Sequence, residues 1–76
     1  MHVVIAQVHE NLFDGEAESL TLPTADGEIT VLAHHEPLVA TLKEGVVIVR
    51  TKEGAQEFTI EGGVLEVGNS RATVLL

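Results

Sequence analysis

Residues 20–45 read LTLPTADGEITVLAHHEPLVATLKEG, and they contain both prolines of the chain and two of its four histidines. Three short apolar runs alternate there with an Asp-Gly turn signal and with polar residues. The spacing of the residues matches no catalytic motif. We therefore expect this stretch to decide the fold and to be the most informative part of the chain about function.

The apolar residues of this stretch alternate as they do in β-strands. Leu20 and Leu22 fall on one face of a predicted strand, which Pro23 should end or confine to a sheet edge. Asp26 and Gly27 predict the next turn. Residues 37–42 could begin a helix at Pro37, but the segment is too short for one, and we predict an extended strand.

The rest of the chain continues the same pattern. Val3, Val4, Ile5, Ala6 and Val8 form a short, largely β-branched apolar run that predicts a first strand, and residues 46–49 predict a strand covered on both faces. Further turns are predicted at Asp14-Gly15, at Lys52-Glu53-Gly54 and at residues 68–70, and a break is predicted at Gly62-Gly63. The residues expected to set strand ends and turns are Gly15, Pro23, Asp26, Gly27, Pro37, Gly45, Gly62 and Gly63.

This pattern predicts a single all-β domain over residues 1–76, an antiparallel sandwich or flattened barrel of about eight to ten short strands. With two Phe and no Trp or Tyr, its core should be aliphatic. No cysteine is present, which excludes disulfides and thiolate metal sites. We find no membrane-spanning run and no signal or transit peptide, and we expect a soluble, cytoplasmic protein.

The charge is acidic and unevenly distributed. The formal net charge is -8, and residues 1–42 hold seven acids and no Lys or Arg, whereas residues 43–76 hold five acids and all four bases. Such a surface repels nucleic acid and anionic lipid, so neither is an expected partner. The acids either keep a small protein soluble or form an acidic face for a basic protein partner.

No motif with catalytic chemistry is present. Gly62-Gly63 and Asp26-Gly27 lack the helix and the Gly-Lys-Ser signature of a phosphate loop. His34-His35-Glu36 is the best metal candidate, but adjacent residues of an extended chain point to opposite faces unless the backbone turns there. We predict no catalytic residue, no cofactor and no metal.

The ordered spacing of glycines, prolines and one histidine resembles a known family over nearly the whole chain. The matching segments are residues 15–23 (GEAESLTLP), 25–28 (ADGE), 31–32, His35, 37–38, Leu42, 45–47, 57–58, 62–63, 65–67 and 72–75. They resemble the N-terminal domain of the epsilon subunit of F-type ATP synthases, which is called delta in mitochondria.

The resemblance implies a ten-stranded β-sandwich in the central stalk of the rotor. The domain would bind the gamma subunit and rest on the polar loops of the membrane c-ring, at the cytoplasmic face of a bacterial inner membrane. It would perform no catalysis. By resemblance Glu28 and His35 would contact the c-ring, whose loops contain a basic residue. We expect a monomer when the domain is isolated.

Two departures from the family qualify this expectation. The chain stops where the sandwich stops, without the helical hairpin of most members, so inhibition of ATP hydrolysis and ATP sensing should be absent. Ala33-His34 also stands where a pair such as Pro-Gly often precedes the histidine. For the gamma contact, Val39, Leu42, Val46 and Leu65 are all candidates, although we expect each to lie in the core.

Two other functions remain open at this point. The first is a stand-alone β-sandwich that binds a peptide or a sugar, which the absence of Trp and Tyr disfavours. The second is a metal-dependent cupin-like enzyme, which lacks its His-x-His pair here.

Overall fold

The computed structural model describes all 76 residues, and they form seven strands and no helix. The strands run β1 His2–Gln7, β2 Glu10–Glu16, β3 Ser19–Thr24, β4 Gly27–Leu32, β5 Leu38–Thr51, β6 Gly54–Gly68 and β7 Arg71–Leu75. They form one sheet in the order β2-β1-β7-β6-β5-β3-β4. Every neighbouring pair is antiparallel except β1 and β7, which are parallel.

The sheet curves on itself into two layers because β5 and β6 take part in both. The first six residues of β5 pair with the end of β6, beside β7, β1 and β2; we call this part the first layer. The remainder of β5 pairs with the start of β6, beside β3 and β4, in the second layer. One cluster of 14 buried residues draws on both layers, and every member is aliphatic, as predicted.

The all-β sandwich is therefore confirmed, with fewer strands than predicted. Gly45 lies inside β5 and Gly62-Gly63 inside β6, where we had predicted strand boundaries. At Gly63 an added Cβ would lie 2.5 Å from the carbonyl oxygen of Leu75, so only glycine lets β7 approach so closely. The glycines bend two long strands instead of ending four short ones.

Two further predictions were wrong. Asp14-Gly15 is no turn but lies inside β2, where Gly15 pairs with the buried Val3, and residues 8–9 form the actual turn. Pairing with a buried strand overrides the local preference of Asp-Gly. Val46 is exposed while Val47 is buried, so residues 46–49 alternate and are not covered on both faces.

Pro23 neither ends β3 nor lies at a sheet edge. β3 continues to Thr24 and is flanked by β4 and β5. The pairing of β3 with β5 is irregular between Thr21 and Thr24, so no partner requires the N–H that proline lacks. The Pro23 ring instead packs over Gly45, where an added Cβ would come within 2.9 Å of Cγ. The predicted extended segment after Pro37 is confirmed as the start of β5.

Candidate docking surface

The β3–β4 turn presents two carboxylates to solvent. The buried hydroxyl of Thr24 donates to the Gly27 carbonyl over 2.5 Å and accepts from the Asp26 N–H over 3.2 Å. Because these bonds use only the backbone of Asp26, its exposed carboxylate stays free. Glu28 follows on β4, an edge strand of the sheet, and is also exposed.

The β4–β5 loop exposes His35 to solvent. All five residues 33–37 are exposed, and the His35 N–H donates to the Leu32 carbonyl over 3.1 Å. His34, inside this turn, has a φ of 70°, a left-handed conformation uncommon for residues other than glycine. His34, which stands where the family often has glycine, therefore occupies a strained backbone conformation.

The ring of His35 has a defined orientation. Its Nδ1 lies 2.7 Å from the Glu36 carbonyl oxygen. A carbonyl oxygen can only accept, so Nδ1 carries the hydrogen and Nε2 is left as an acceptor in the neutral ring. The Glu28 carboxylate is likewise an acceptor. No hydrogen bond or ion pair joins Glu28 to His35, but both offer acceptors to a partner that carries donors.

A second, apolar surface lies on the outer face of the first layer, and we call it the outer apolar face. Val39, Val64 and Leu75 are 73%, 37% and 46% exposed. Val64 is paired with Leu75, and Leu75 with Ala6, while Val39 lies two residues from Thr41, the other partner of Val64. These side chains therefore form one strip across β5, β6, β7 and β1.

This strip corrects part of the sequence-based assignment. The core prediction holds for Leu42 and Leu65, and it is wrong for Val39 and Val46. The sequence analysis did not identify Val64 and Leu75 as exposed residues of a candidate interface. Strand alternation is the signal that could have found them, since each is adjacent to a fully buried residue and must face the other way.

The sequence analysis also did not identify a polar cluster at the start of the chain. The Met1 amino group lies 3.1 Å from the Glu16 carboxylate, and His2 bridges Asp14 at 2.6 Å and Glu16 at 3.6 Å. The two contacts of His2 use opposite ring nitrogens, so the acids do not converge on one point. The cluster ties the edge strand β2 to β1.

The structure brings no three His, Asp or Glu side chains together in a metal-binding arrangement, at His34-His35-Glu36 or elsewhere. None of its elements is an apolar helix of bilayer-spanning length.

Comparison with known proteins decides the family. The model of the family described as ATP synthase, Delta/Epsilon chain, beta-sandwich domain matches residues 1–76. The chain belongs to this family. It is 40% identical over 76 residues to the ATP synthase epsilon chain of Bordetella avium, covering 99% of this chain and 54% of that one. It thus spans about half the length of that relative. Against the epsilon chain of Caulobacter vibrioides it is 36% identical and covers 87% of the relative.

Solved structures agree with the fold. A chain in the Euglena gracilis mitochondrial ATP synthase, a structure of OSCP, F1 and c-ring, matches 96% of this chain at a TM-score of 0.89 and 26% identity, with 48% of that chain covered. A chain in the central stalk and c-ring of the Tetrahymena thermophila enzyme matches at a TM-score of 0.84 and 14% identity, and it supports the fold alone.

Proposed function

We propose that this domain is a non-catalytic part of the rotor stalk of an F-type ATP synthase, where it links the gamma subunit to the c-ring at the cytoplasmic face of a bacterial inner membrane. The observation that carries the linking role is the presence of two exposed surfaces of different chemistry on one small domain. One surface consists of the acceptors of Glu28 and His35, and the other is the outer apolar face.

The outer apolar face is proposed to bind gamma. Its side chains lie on neighbouring strands of one sheet, so they form a continuous surface whose shape the sheet fixes. A stable interface has an apolar centre with a polar rim. Here the row that begins at Val39 continues on the same outer face through its partner Glu66 to Thr73 and Asp14, beside the row of Val64 and Leu75. Contact with gamma would bury Val39, the most exposed of the three.

The acceptor surface is proposed to meet the c-ring loops. Glu28 lies near the start of β4 and His35 follows its end, so separate donors would meet them. Basic side chains from such loops can donate to the Glu28 carboxylate in charge-assisted hydrogen bonds, and other donors can reach Nε2 of His35. Contacts of this kind at an exposed rim mainly set orientation and association rate. The c-ring contact would therefore orient the domain on the ring, and the contact with gamma would supply most of the binding free energy.

Binding of the domain to purified gamma subunit tests the role proposed for the outer apolar face. We expect co-elution at moderate salt with a dissociation constant in the low micromolar range or below. Val64→Glu should weaken it at least about tenfold, because a carboxylate would be desolvated in the interface. Leu32→Glu is the control, since Leu32 is 56% exposed on β4, in the second layer, which contributes no residue to the strip. Equal loss in both variants, or no capture of the unaltered chain, would contradict the assignment.

ATP-driven proton pumping by the reconstituted complex tests the c-ring contact proposed for Glu28. Glu28→Lys should lower coupled pumping while ATP hydrolysis by the catalytic subunits persists. Glu10→Lys makes the same charge change on β2, the opposite edge of the sheet, and should leave pumping intact. Unchanged pumping with Glu28→Lys would remove Glu28 from the contact.

A further inference from the structure

A groove opens between the β3–β4 turn and the start of β5, and we call it the Ile29 groove. Its volume is about 410 Å³, and Asp26, Ile29, Leu38, Val39, Ala40 and Thr41 contribute to its lining. Ile29, Leu38 and Ala40 are half-buried and pack against the main core on their inner side. The groove is therefore a place where the core of the sandwich is open to solvent between β4 and β5.

One wall of the groove is an unpaired strand edge. The Thr41 carbonyl accepts from the Ala25 N–H over 3.0 Å, so the peptide groups of Thr41 face away from β6. In an antiparallel strand the residue two positions earlier faces the same way. Val39 thus directs its N–H and C=O outward, where β3 has no residue in register because pairing with β3 begins at Leu42.

The one charged side chain in the lining of the groove is acidic. Asp26 contributes to the lining, while Glu28 follows it on β4 and Glu36 lies just before β5. No Lys or Arg contributes to the lining, and Arg71 lies in a neighbouring depression on the other side of Val39, together with Glu66. A bound segment would therefore gain from Lys or Arg side chains at the rim.

We propose that the Ile29 groove binds an extended segment of a protein partner as an added β-strand, one whose aliphatic residues alternate with Lys or Arg. The segment pairs with the N–H and C=O of Val39, places aliphatic side chains on Ile29, Leu38 and Ala40, and sets a cation beside Asp26. Strand addition to an open edge is a general mode of peptide recognition. A second copy of this chain fits less well, because its net charge of -8 opposes association. The site shares Val39 with the outer apolar face, which uses the Val39 side chain where the groove uses its N–H and C=O, but the proposal rests on neither contact proposed above.

Titration of the ¹⁵N-labelled protein with capped hexapeptides, followed by NMR, tests the proposal. A peptide of alternating Val and Lys should shift the amide signals of residues 38–41 and of Asp26, and slow hydrogen exchange at Val39. A peptide of alternating Val and Glu should do neither. Absence of shifts at millimolar peptide, or equal shifts along β2, would overturn the proposal. So would the same shifts arising from protein concentration alone, since these would identify a second copy as the occupant.

Two pairs of variants separate the strand edge from general charge. Val39→Pro removes the open N–H and should abolish the shifts, whereas Val39→Thr should keep them. Asp26→Lys should weaken peptide binding about fivefold. Glu53→Lys makes the same charge change in the β5–β6 turn, which does not line the groove, and should alter affinity less than twofold. If Asp26→Lys and Glu53→Lys weaken binding equally, the peptide is held by nonspecific charge attraction and the proposed site is wrong. This comparison remains decisive even if Val39→Pro does not fold.

Discussion

Two hairpin turns of this molecule share one local design in different surroundings. Residues 24–27 read Thr-Ala-Asp-Gly and residues 51–54 read Thr-Lys-Glu-Gly. In each turn the Thr hydroxyl donates to the Gly carbonyl and accepts from the N–H of the acidic residue. The glycines have φ angles of 123° and 127°. The same four-residue chemistry thus builds the same turn twice.

The surroundings differ in burial and in chemistry. Thr24 is 5% exposed, and its turn is tied to β5 by the bond from Ala25 to Thr41. Beside it lies the apolar Ile29 groove. Thr51 is more exposed, and its turn borders a cavity lined by Glu16, Glu18 and Lys52. Local sequence therefore specifies the turn, and packing decides whether the turn supports a docking surface.

Removing the hydroxyl should distinguish the two turns most strongly. Thr24→Val keeps the shape but leaves the Gly27 carbonyl and the Asp26 N–H without their partner in a partly buried setting, and should cost about 1–3 kcal/mol of unfolding free energy. Thr51→Val should cost less than about 1 kcal/mol, because water can replace the hydroxyl. Urea denaturation of both variants measures this. Equal losses would mean that the burial of Thr24 does not matter.

Replacing the turn glycines should show how alike the turns are. Gly27→Ala and Gly54→Ala each place a Cβ on a backbone of positive φ, with no atom within 4 Å to clash. The cost is then a backbone cost alone, about 1–2 kcal/mol in each case. Thermal and urea unfolding should give similar losses for the two variants. A large difference would show that the turns are not conformationally equivalent.

The sequence alone predicts where these two turns lie, but not how the strands around them pack. Both turns follow from local signals, Asp26-Gly27 in one and Lys52-Glu53-Gly54 in the other, and the all-β class follows from strand alternation between such turns. The long strands β5 and β6 do not, since Gly45 and Gly62-Gly63 look like boundaries until the pairing of β5 with β6 is known. The turn predicted at Asp14-Gly15 is wrong for the same reason: these residues pair with β1, and that pairing cannot be read from the few residues around them. Of the candidate site, Glu28 and His35 came from family resemblance, and the exposure of Val39 depends on which way a bent strand faces.

Another left-handed position, at His34, sharpens the comparison because it lacks the glycine of both hairpins. His34 has a φ of 70° in the turn that positions His35. A residue with a Cβ pays about 1–2 kcal/mol in this conformation, and glycine loses part of that advantage through its freer unfolded chain. His34→Gly should therefore raise stability by about 0.5 kcal/mol, or roughly 2–4 °C in Tm for a domain of this size. His34→Ala removes the imidazole but keeps the Cβ, and should give no gain. If His34→Gly lowers the Tm instead, the His34 side chain itself stabilises the loop, and the departure from the family's glycine is no source of strain.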